Sequence, residues 1–499
     1  MSKETFMLGF MAGASSPGYS FLVSGDGGYL DFSAAKSFSL STGSGAKNWD
    51  GEMYYSFDAR SWRVWDGTVT LLTTALRGSR YHIYLRGSGN STVGGSAEGN
   101  KFVLTGGDNR IRCDGNIENL LDYKTVRNGG HPVMGYRCFR NLFYHCETLV
   151  SAPDLLGEVM AEECYFNLFN GCINLASSPQ LAATKTAYHC FRNMFYGCTG
   201  LASAPDLPAQ ELAEGCYYNM FYGCTGLRKA PAIGAKVAGI ECCRNMFYGC
   251  TGLVTPPPTL SAEVVASRSY QNMFYGCTSL VSAPAIAATT VAEYCFCDMF
   301  HDCTGLVTPP PVLYAGKLEH SCYYQMFYGC ASMTAAPEIR ATEMAYESCR
   351  NMFWECTSLA TVQDVLPATK LDYLCYHAMF YRCVSLASAP ALPATQLAEG
   401  CYLNMFNGCS GLRALVALPA LELVGSCYRN MFRDCTGILL SEEQTEEYTT
   451  PYRIPASGSG HYADDATDVL TAMFTGTGGT FAGTPALNKI YYTANAVVQ

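Results

Sequence analysis

The stretch CYYNMFYGCTGL, Cys216 to Leu227, decides how the chain is read. Near copies stand at Cys190–Leu201 (CFRNMFYGCTGL) and Cys401–Leu412 (CYLNMFNGCSGL). The second cysteine of the motif falls at 146, 172, 198, 224, 250, 277, 303, 330, 356, 383, 409 and 435, in steps of 26 or 27 residues. A fixed period of that length marks a solenoid, in which each unit is one supersecondary element stacked on the next. The phenylalanine three residues before that cysteine holds in all twelve units, from Phe143 to Phe432.

One unit reads as a helix followed by a short strand. On a wheel of about 100° per residue, Cys216, Tyr217, Met220 and Phe221 share one face, and Tyr218, Asn219 and Tyr222 lie on the other. Gly223 is placed to end the helix in a left-handed cap. LASAPDL, Leu201 to Leu207, then reads as a strand with proline inside. Proline recurs there at Pro153, Pro179, Pro205, Pro231 and beyond. It cannot donate to a ladder, so each strand is expected to pair for only a few residues before it. A single unit buries too little to fold alone and depends on its neighbours. The expected fold is an α/β repeat solenoid of about 12 units, preceded by a small all-β module.

Four segments are expected. Residues 1–110 carry short alternating or aromatic runs between Gly, Asp, Asn and Ser turns, such as EMYYSFDARSWRVWDG, and read as a β-rich, sandwich-like module. Residues 111–137, with NIENLLDY, read as the cap of the solenoid, which spans 138–440. Residues 441–499 hold an acidic inserted loop and a degenerate last unit in which Met473 and Phe474 revive the motif without its cysteines.

Composition narrows the function. The 499 residues are 49% apolar and 15% charged, with a net charge of −10 and no basic run, so nucleic acid is not an expected partner. No apolar run approaches the roughly 18 residues that span a bilayer, so membrane insertion is not expected either. The N-terminal MSKETFMLGFMAGASS has Lys3, a short apolar run and Ala12-Gly13-Ala14, but Glu4 and Gly9 interrupt the signal-peptide pattern, and secretion by that route is not expected. Phosphate-loop, H-E-x-x-H, G-x-S-x-G and EF-hand patterns are absent from the sequence. Nothing selects a carboxylate pair for glycoside hydrolysis. No enzyme activity, cofactor or metal is expected.

The cysteines admit three readings. Most units carry another cysteine near the motif start, usually eight residues before the second, with Ser269 and Ser348 as exceptions. Zinc sites show closer pairs, and the whole chain has eight histidines. A disulfide within a unit would have to join ends of a two-turn helix about 12 Å apart. The remaining reading, small buried hydrophobes stacked on their copies, is the expected one.

Three polar or aromatic columns accompany them. The residue after the phenylalanine is usually aromatic, and Tyr196, Tyr222, Tyr248, Tyr275, Tyr328, Trp354 and Tyr381 are the candidate ligand-binding residues. They could stack on sugar rings or pack on a partner; alternatively they stack on one another and shield the layer beneath. Arg140, Arg192, Arg244, Arg350 and Arg429 alternate with Tyr218, Tyr324 and His377 in a column read as a solvated face. Asn193, Asn219 and Asn245 recur before the methionine and are expected to bond backbone at the turns.

MFYGCTSLVSAPAI, Met273 to Ile286, resembles the BspA-type leucine-rich repeat, a bacterial surface-protein repeat with Phe-x-x-Cys followed by Ser or Thr and Leu. The resemblance covers about residues 138–440 and departs from the common form in its recurrent Ala-Pro and its first cysteine. It implies a curved solenoid used for adhesion and binding, without fixing a ligand. Together with the weak signal segment it leads to the expected function: a non-enzymatic structural or binding protein, a bacteriophage virion appendage or receptor-binding protein of tail-fibre type. Such a protein would assemble in host cytoplasm, where thiols stay reduced. Its expected partners are a host cell-surface glycan or protein and other virion proteins, with homo-oligomerisation open. The alternative is a bacterial cell-surface adhesin, and a third reading is a polysaccharide-degrading enzyme on the same scaffold.

Overall fold

The computed structural model describes residues 27–95, 97, 99–458, 468–494 and 497–498, so the N-terminal signal-like stretch lies outside the described residues. Within them the twelve units stack in register as rungs of a solenoid. The motif does not form a helix. Among the described residues the one α-helix is Asn119–Arg127, before the repeats. The α/β class expected from the wheel is therefore corrected to a solenoid of turns and very short strands.

The backbone explains why. In the rung of Cys216, Gly215, Asn219 and Gly223 all have left-handed φ values, 56°, 54° and 68°. One residue in four reverses the chain, which breaks a right-handed helix after every turn. Two kinds of hydrogen bond then alternate. Tyr218, Met220, Tyr222 and Cys224 donate their N–H groups three residues back within the rung, at 3.0–3.2 Å. Tyr217, Asn219, Phe221 and Gly223 donate to the carbonyls of Cys242, Arg244, Met246 and Tyr248 in the next rung, at 2.8–3.0 Å. In this rung asparagine and glycine occupy the reversing positions, where they enter that region at least cost, whereas Glu163, His189, Arg268 and Leu374 hold the first of them in other rungs.

The repeat of this ribbon is four residues, two in and two out. Cys216, Tyr217, Met220, Phe221 and Cys224 are buried, whereas Tyr218, Asn219, Tyr222 and Gly223 are half-buried. The wheel thus sorted the faces as observed but with the wrong geometry. Over nine residues a step of 90° drifts from a helical 100° by only about 80°, so a two-in, two-out pattern fits both. Gly223 does adopt the expected left-handed conformation, though as a reversal inside the ribbon and not as a helix cap.

The rest of each rung crosses to the opposite side through two-residue parallel strands. Glu211–Leu212, Val237–Ala238, Val264–Val265 and Thr290–Val291 form one such sheet, and Thr259–Leu260 pairs with Ala285–Ile286 in another. Pairing occurs on both sides of the prolines: single bridges such as Ser282 with Thr308 precede them, and the strands follow them.

Both ends of the stack are covered. Strands Leu30–Ala34, Ser39–Thr42, Glu52–Ser56, Arg80–Ser88, Phe102–Thr105 and Ile111–Asp114 lie before the repeats, in two antiparallel arrays. Ile111–Asp114 pairs in parallel with Leu149–Ser151 of the first unit, and Phe139 and Phe102 exchange backbone bonds with Val93 and Leu142 across the junction. At the other end, Phe474 stacks on Phe432 at 5.9 Å, and Thr450–Arg453 pairs with Ile490–Thr493. Exposed strand edges invite pairing with other chains, and these elements occupy them.

The core is a phenylalanine ladder. From Phe143 to Phe432 each ring stacks on its copy with centroids 5.3–5.6 Å apart. A second buried column mixes Tyr165, Phe191, Tyr217, Tyr270 and Phe296, and the hydroxyls of Tyr165, Tyr217 and Tyr270 have no hydrogen-bond partner. Opposite effects are expected from two neighbouring substitutions. Phe221→Ala should cost about 3–5 kcal/mol. Tyr217→Phe should be neutral or stabilising by up to about 1 kcal/mol, because it removes an unpaired buried hydroxyl. Urea unfolding midpoints of the two variants check both signs.

Candidate functional site

The outward column after each phenylalanine is a continuous stack of eight rings. Tyr196, Tyr222, Tyr248, Tyr275, His301 and Tyr328 follow one another with centroids 4.4–4.7 Å apart and nearly parallel planes. Trp354 continues it at 5.9 Å, and Tyr381 lies 3.8 Å from Trp354. All seven candidate residues read from the sequence are in this one row. His301 completes it and was missed, although its place directly after Phe300 marks it. Asn170 and Asn407 hold the same position in the flanking rungs and bound the stack.

The rungs dictate this arrangement. Because every rung repeats the backbone of the last, a side chain at a given position must meet its own copy at the rung spacing, which aromatic planes fill without a gap. Every ring in the row is half-buried. Interior ring faces are covered by neighbouring rings, so the row presents ring edges and phenol hydroxyls. Burial and the flanking Tyr196 and Tyr248 push the Tyr222 phenol up, so its hydroxyl keeps its proton and can donate.

The arginine column differs from the solvated face expected for it. Arg140 lies 4.1 Å over the ring of Phe166, and Arg192 lies 4.3 Å over Tyr218. Arg244 also reaches Tyr218 and is paired with Glu241 at 2.6 Å, and Arg350 pairs with Glu347. Where an arginine neighbours an aromatic residue in the column the two meet as cation–π partners, and Gln271, Cys297 and Leu403 interrupt the alternation. Arg140, Arg192, Arg244 and Arg350 are half-buried by these contacts, whereas Arg429 is exposed as expected and pairs with Asp468 at 2.9 Å. His377 occupies the same column beside Arg350, and burial first, then that arginine, lowers its pKa from 6.5 to about 4.

The asparagines form a ladder of their own. Asn219 Nδ2 donates to Asn193 Oδ1 at 2.9 Å, Asn245 to Asn219 at 3.0 Å, and Asn272 to Asn245 at 2.9 Å. Each of these Nδ2 groups thus donates to the side chain of the preceding rung, not to the turn backbone.

The cysteines are part of the same construction. From Cys172 to Cys435, each second-column thiol lies 2.9–3.1 Å from the carbonyl oxygen of the preceding rung's phenylalanine. That oxygen already accepts an N–H within its own rung, as Phe169 does from Cys172, so the thiol fills the second lone pair. Cys146 makes the equivalent contact with Phe102 of the N-terminal segment. All 26 cysteines are buried with free thiols. Burial pushes Cys146, Cys190, Cys250 and Cys409 up to about 12. Among the described residues no group of three His, Cys, Asp or Glu side chains converges as a metal site.

No family model and no curated protein matches the chain. Among solved structures, a leucine-rich repeat protein from Bacteroides ovatus ATCC 8483 is similar at 16% identity over 71% of this chain and 85% of its own, with a TM-score of 0.38. A leucine rich cell surface protein from Faecalibacterium prausnitzii A2-165 is similar at 17% identity over 66% of this chain and 90% of its own, with a TM-score of 0.29. A leucine-rich repeat protein from Eubacterium ventriosum ATCC 27560 gives 12% identity, 62% and 90% coverage and a TM-score of 0.22. Likenesses this distant carry no argument about function, and the solenoid stands on the rung geometry.

Two outcomes are expected. Iodoacetamide at pH 8 should label none of the 26 thiols while the protein is folded and all of them in concentrated urea, because only an exposed thiolate reacts; mass spectrometry counts the adducts. His377 should also make stability depend on pH. Its folded pKa of about 4 lies below its ordinary 6.5, so between these values the unfolded chain binds more protons. The stabilisation is full above pH 6.5 and is lost as pH falls towards 4. Urea titrations of wild type and His377→Gln across that window should show a shallower fall for the variant.

Proposed function

We propose that the chain is a non-enzymatic binding or structural protein whose rungs display the aromatic row as a contact strip, and that it acts at a bacterial cell surface. The observation that supports this reading is the unbroken, half-exposed stack of eight rings from Tyr196 to Tyr381 on one side of the solenoid. Tyrosine and tryptophan offer apolar area beside a polar tip, and lose little rotational freedom on binding. Here the scaffold has fixed them beforehand, so a ligand meets an ordered row of edges and hydroxyls. A partner lying along the solenoid, a surface glycan or an extended protein segment, contacts the same chemistry at every rung.

Placement at the cell surface is the alternative drawn from the sequence, and the resemblance carried by Met273 to Ile286 is to a bacterial surface-protein repeat. Antibody labelling of intact producing cells against purified particles separates it from the virion placement.

Binding of fluorescently labelled protein to intact bacterial cells, before and after their surface polysaccharide is stripped, tests the contact strip. Saturable binding that falls with the polysaccharide, and falls at least tenfold in the double variant Tyr222→Ala/Tyr248→Ala, is expected. Binding unaffected by stripping but lost in the double variant would mean a protein partner. Equal binding by wild type and variant, or none across a wide panel of cells, would sink the strip as a recognition surface. Release of reducing sugar from the polysaccharide would overturn the non-enzymatic reading.

A further inference from the structure

We infer that a cavity at the N-terminal end of the solenoid binds the ammonium group of a primary alkylamine, with Glu118 as its counter-charge. The cavity measures about 290 Å³ and is lined by Glu118, His131, Met134, Gly157, Glu158 and Met160 among others. Glu118 directly precedes the helix Asn119–Arg127 but does not cap it. Its side chain is fully buried. Oε2 accepts from Asn116 Nδ2 at 3.1 Å and pairs with His131 Nδ1 at 2.9 Å, while Oε1 has no partner.

That unpaired oxygen faces the cavity. A Cβ added to Gly157, which lines the cavity, would stand 3.3 Å from Oε1 and run into Met134 Cε. Glycine at 157 therefore lets the flexible end of Met134 lie beside the carboxylate in the cavity wall. A buried carboxylate oxygen needs a donor, and a charged donor satisfies it best.

The lining selects the kind of donor. It holds two carboxylates, Glu118 and Glu158, and one imidazole, with neither lysine nor arginine. The remainder is apolar. Val133 and Val159 at the mouth are 84% and 62% exposed, and Met134 and Met160 lie deeper and are buried. A cation with a short alkyl body matches this layout: its ammonium donates to Oε1 and its methylenes cover the two valines. Methionines adapt to the shape of such a chain. Neither the aromatic row nor its ligand enters this reading.

Isothermal titration of the full chain with n-butylammonium chloride tests it, with sodium chloride and n-butanol as controls. Nα-acetyl-lysine amide shows whether a lysine side chain on a peptide can enter as a free amine does. Saturable binding of butylammonium is expected, with butanol at least tenfold weaker. Glu118→Gln keeps the shape and removes the charge, and should weaken butylammonium at least tenfold. Gly157→Ala adds a methyl beside Oε1 and pushes Met134 Cε into the cavity, and should do the same while the urea unfolding midpoint stays near that of wild type. If Glu118→Gln does not fold, Gly157→Ala decides alone. No saturable binding by wild type, undiminished binding by a folded variant, or equal binding of butanol would overturn the assignment.

Discussion

The backbone hydrogen bond that every second motif residue donates to the next rung holds the rest of the structure in place. It requires the intervening residues to point their own N–H groups back along the chain, and that requires a left-handed residue at every fourth position. Gly215, Asn219 and Gly223 meet this requirement in one rung, and the same register recurs along the stack. Once the backbone is fixed in this way, adjacent rungs can differ little in path. Each side chain then stands over its counterpart, and the repetition of the sequence follows from the repetition of the contacts.

The columns show what this register permits. Phenylalanine meets phenylalanine, asparagine meets asparagine, and a thiol meets the carbonyl of the ring before it. These pairings suit identical partners, since stacked planes and amide ladders are satisfied by their own copies. Charged residues tolerate such stacking less well, because like charges would meet at the rung spacing. The arginine column avoids this by placing no two arginines in adjacent rungs, and Phe166 and Tyr218 stand between Arg140, Arg192 and Arg244. The outer aromatic row follows the same rule on the solvent side, which is why it forms a continuous strip and not isolated rings.

A stack of this kind has two open ends, and both are covered by sequence that does not repeat. The N-terminal segment supplies a strand at rung spacing and the carbonyl of Phe102 for the first thiol. The junction also creates features that no rung has, including the buried carboxylate of Glu118 beside Gly157. A repeated unit cannot hold a single specialised pocket without breaking its own register, so such a pocket belongs at a cap.

The sequence by itself determined the period, the number of units, the inward and outward positions and the membership of the aromatic row save His301, because each is a matter of spacing along the chain. It also carried the signal that the ribbon is not helical: asparagine and glycine four residues apart, Asn219 and Gly223, both favour left-handed backbone. That signal is weaker to the eye than the hydrophobic pattern, which a helix fits over so short a stretch. The tertiary structure decided what each outward residue faces. Arg192 and Asn219 look solvent-exposed in one unit and gain their partners only from the rungs on either side. Glu118 is far enough from Gly157 and Met160 in sequence that nothing in the spacing brings it to them. Contacts between rungs depend on register, and register is a property of the stack and not of any one repeat.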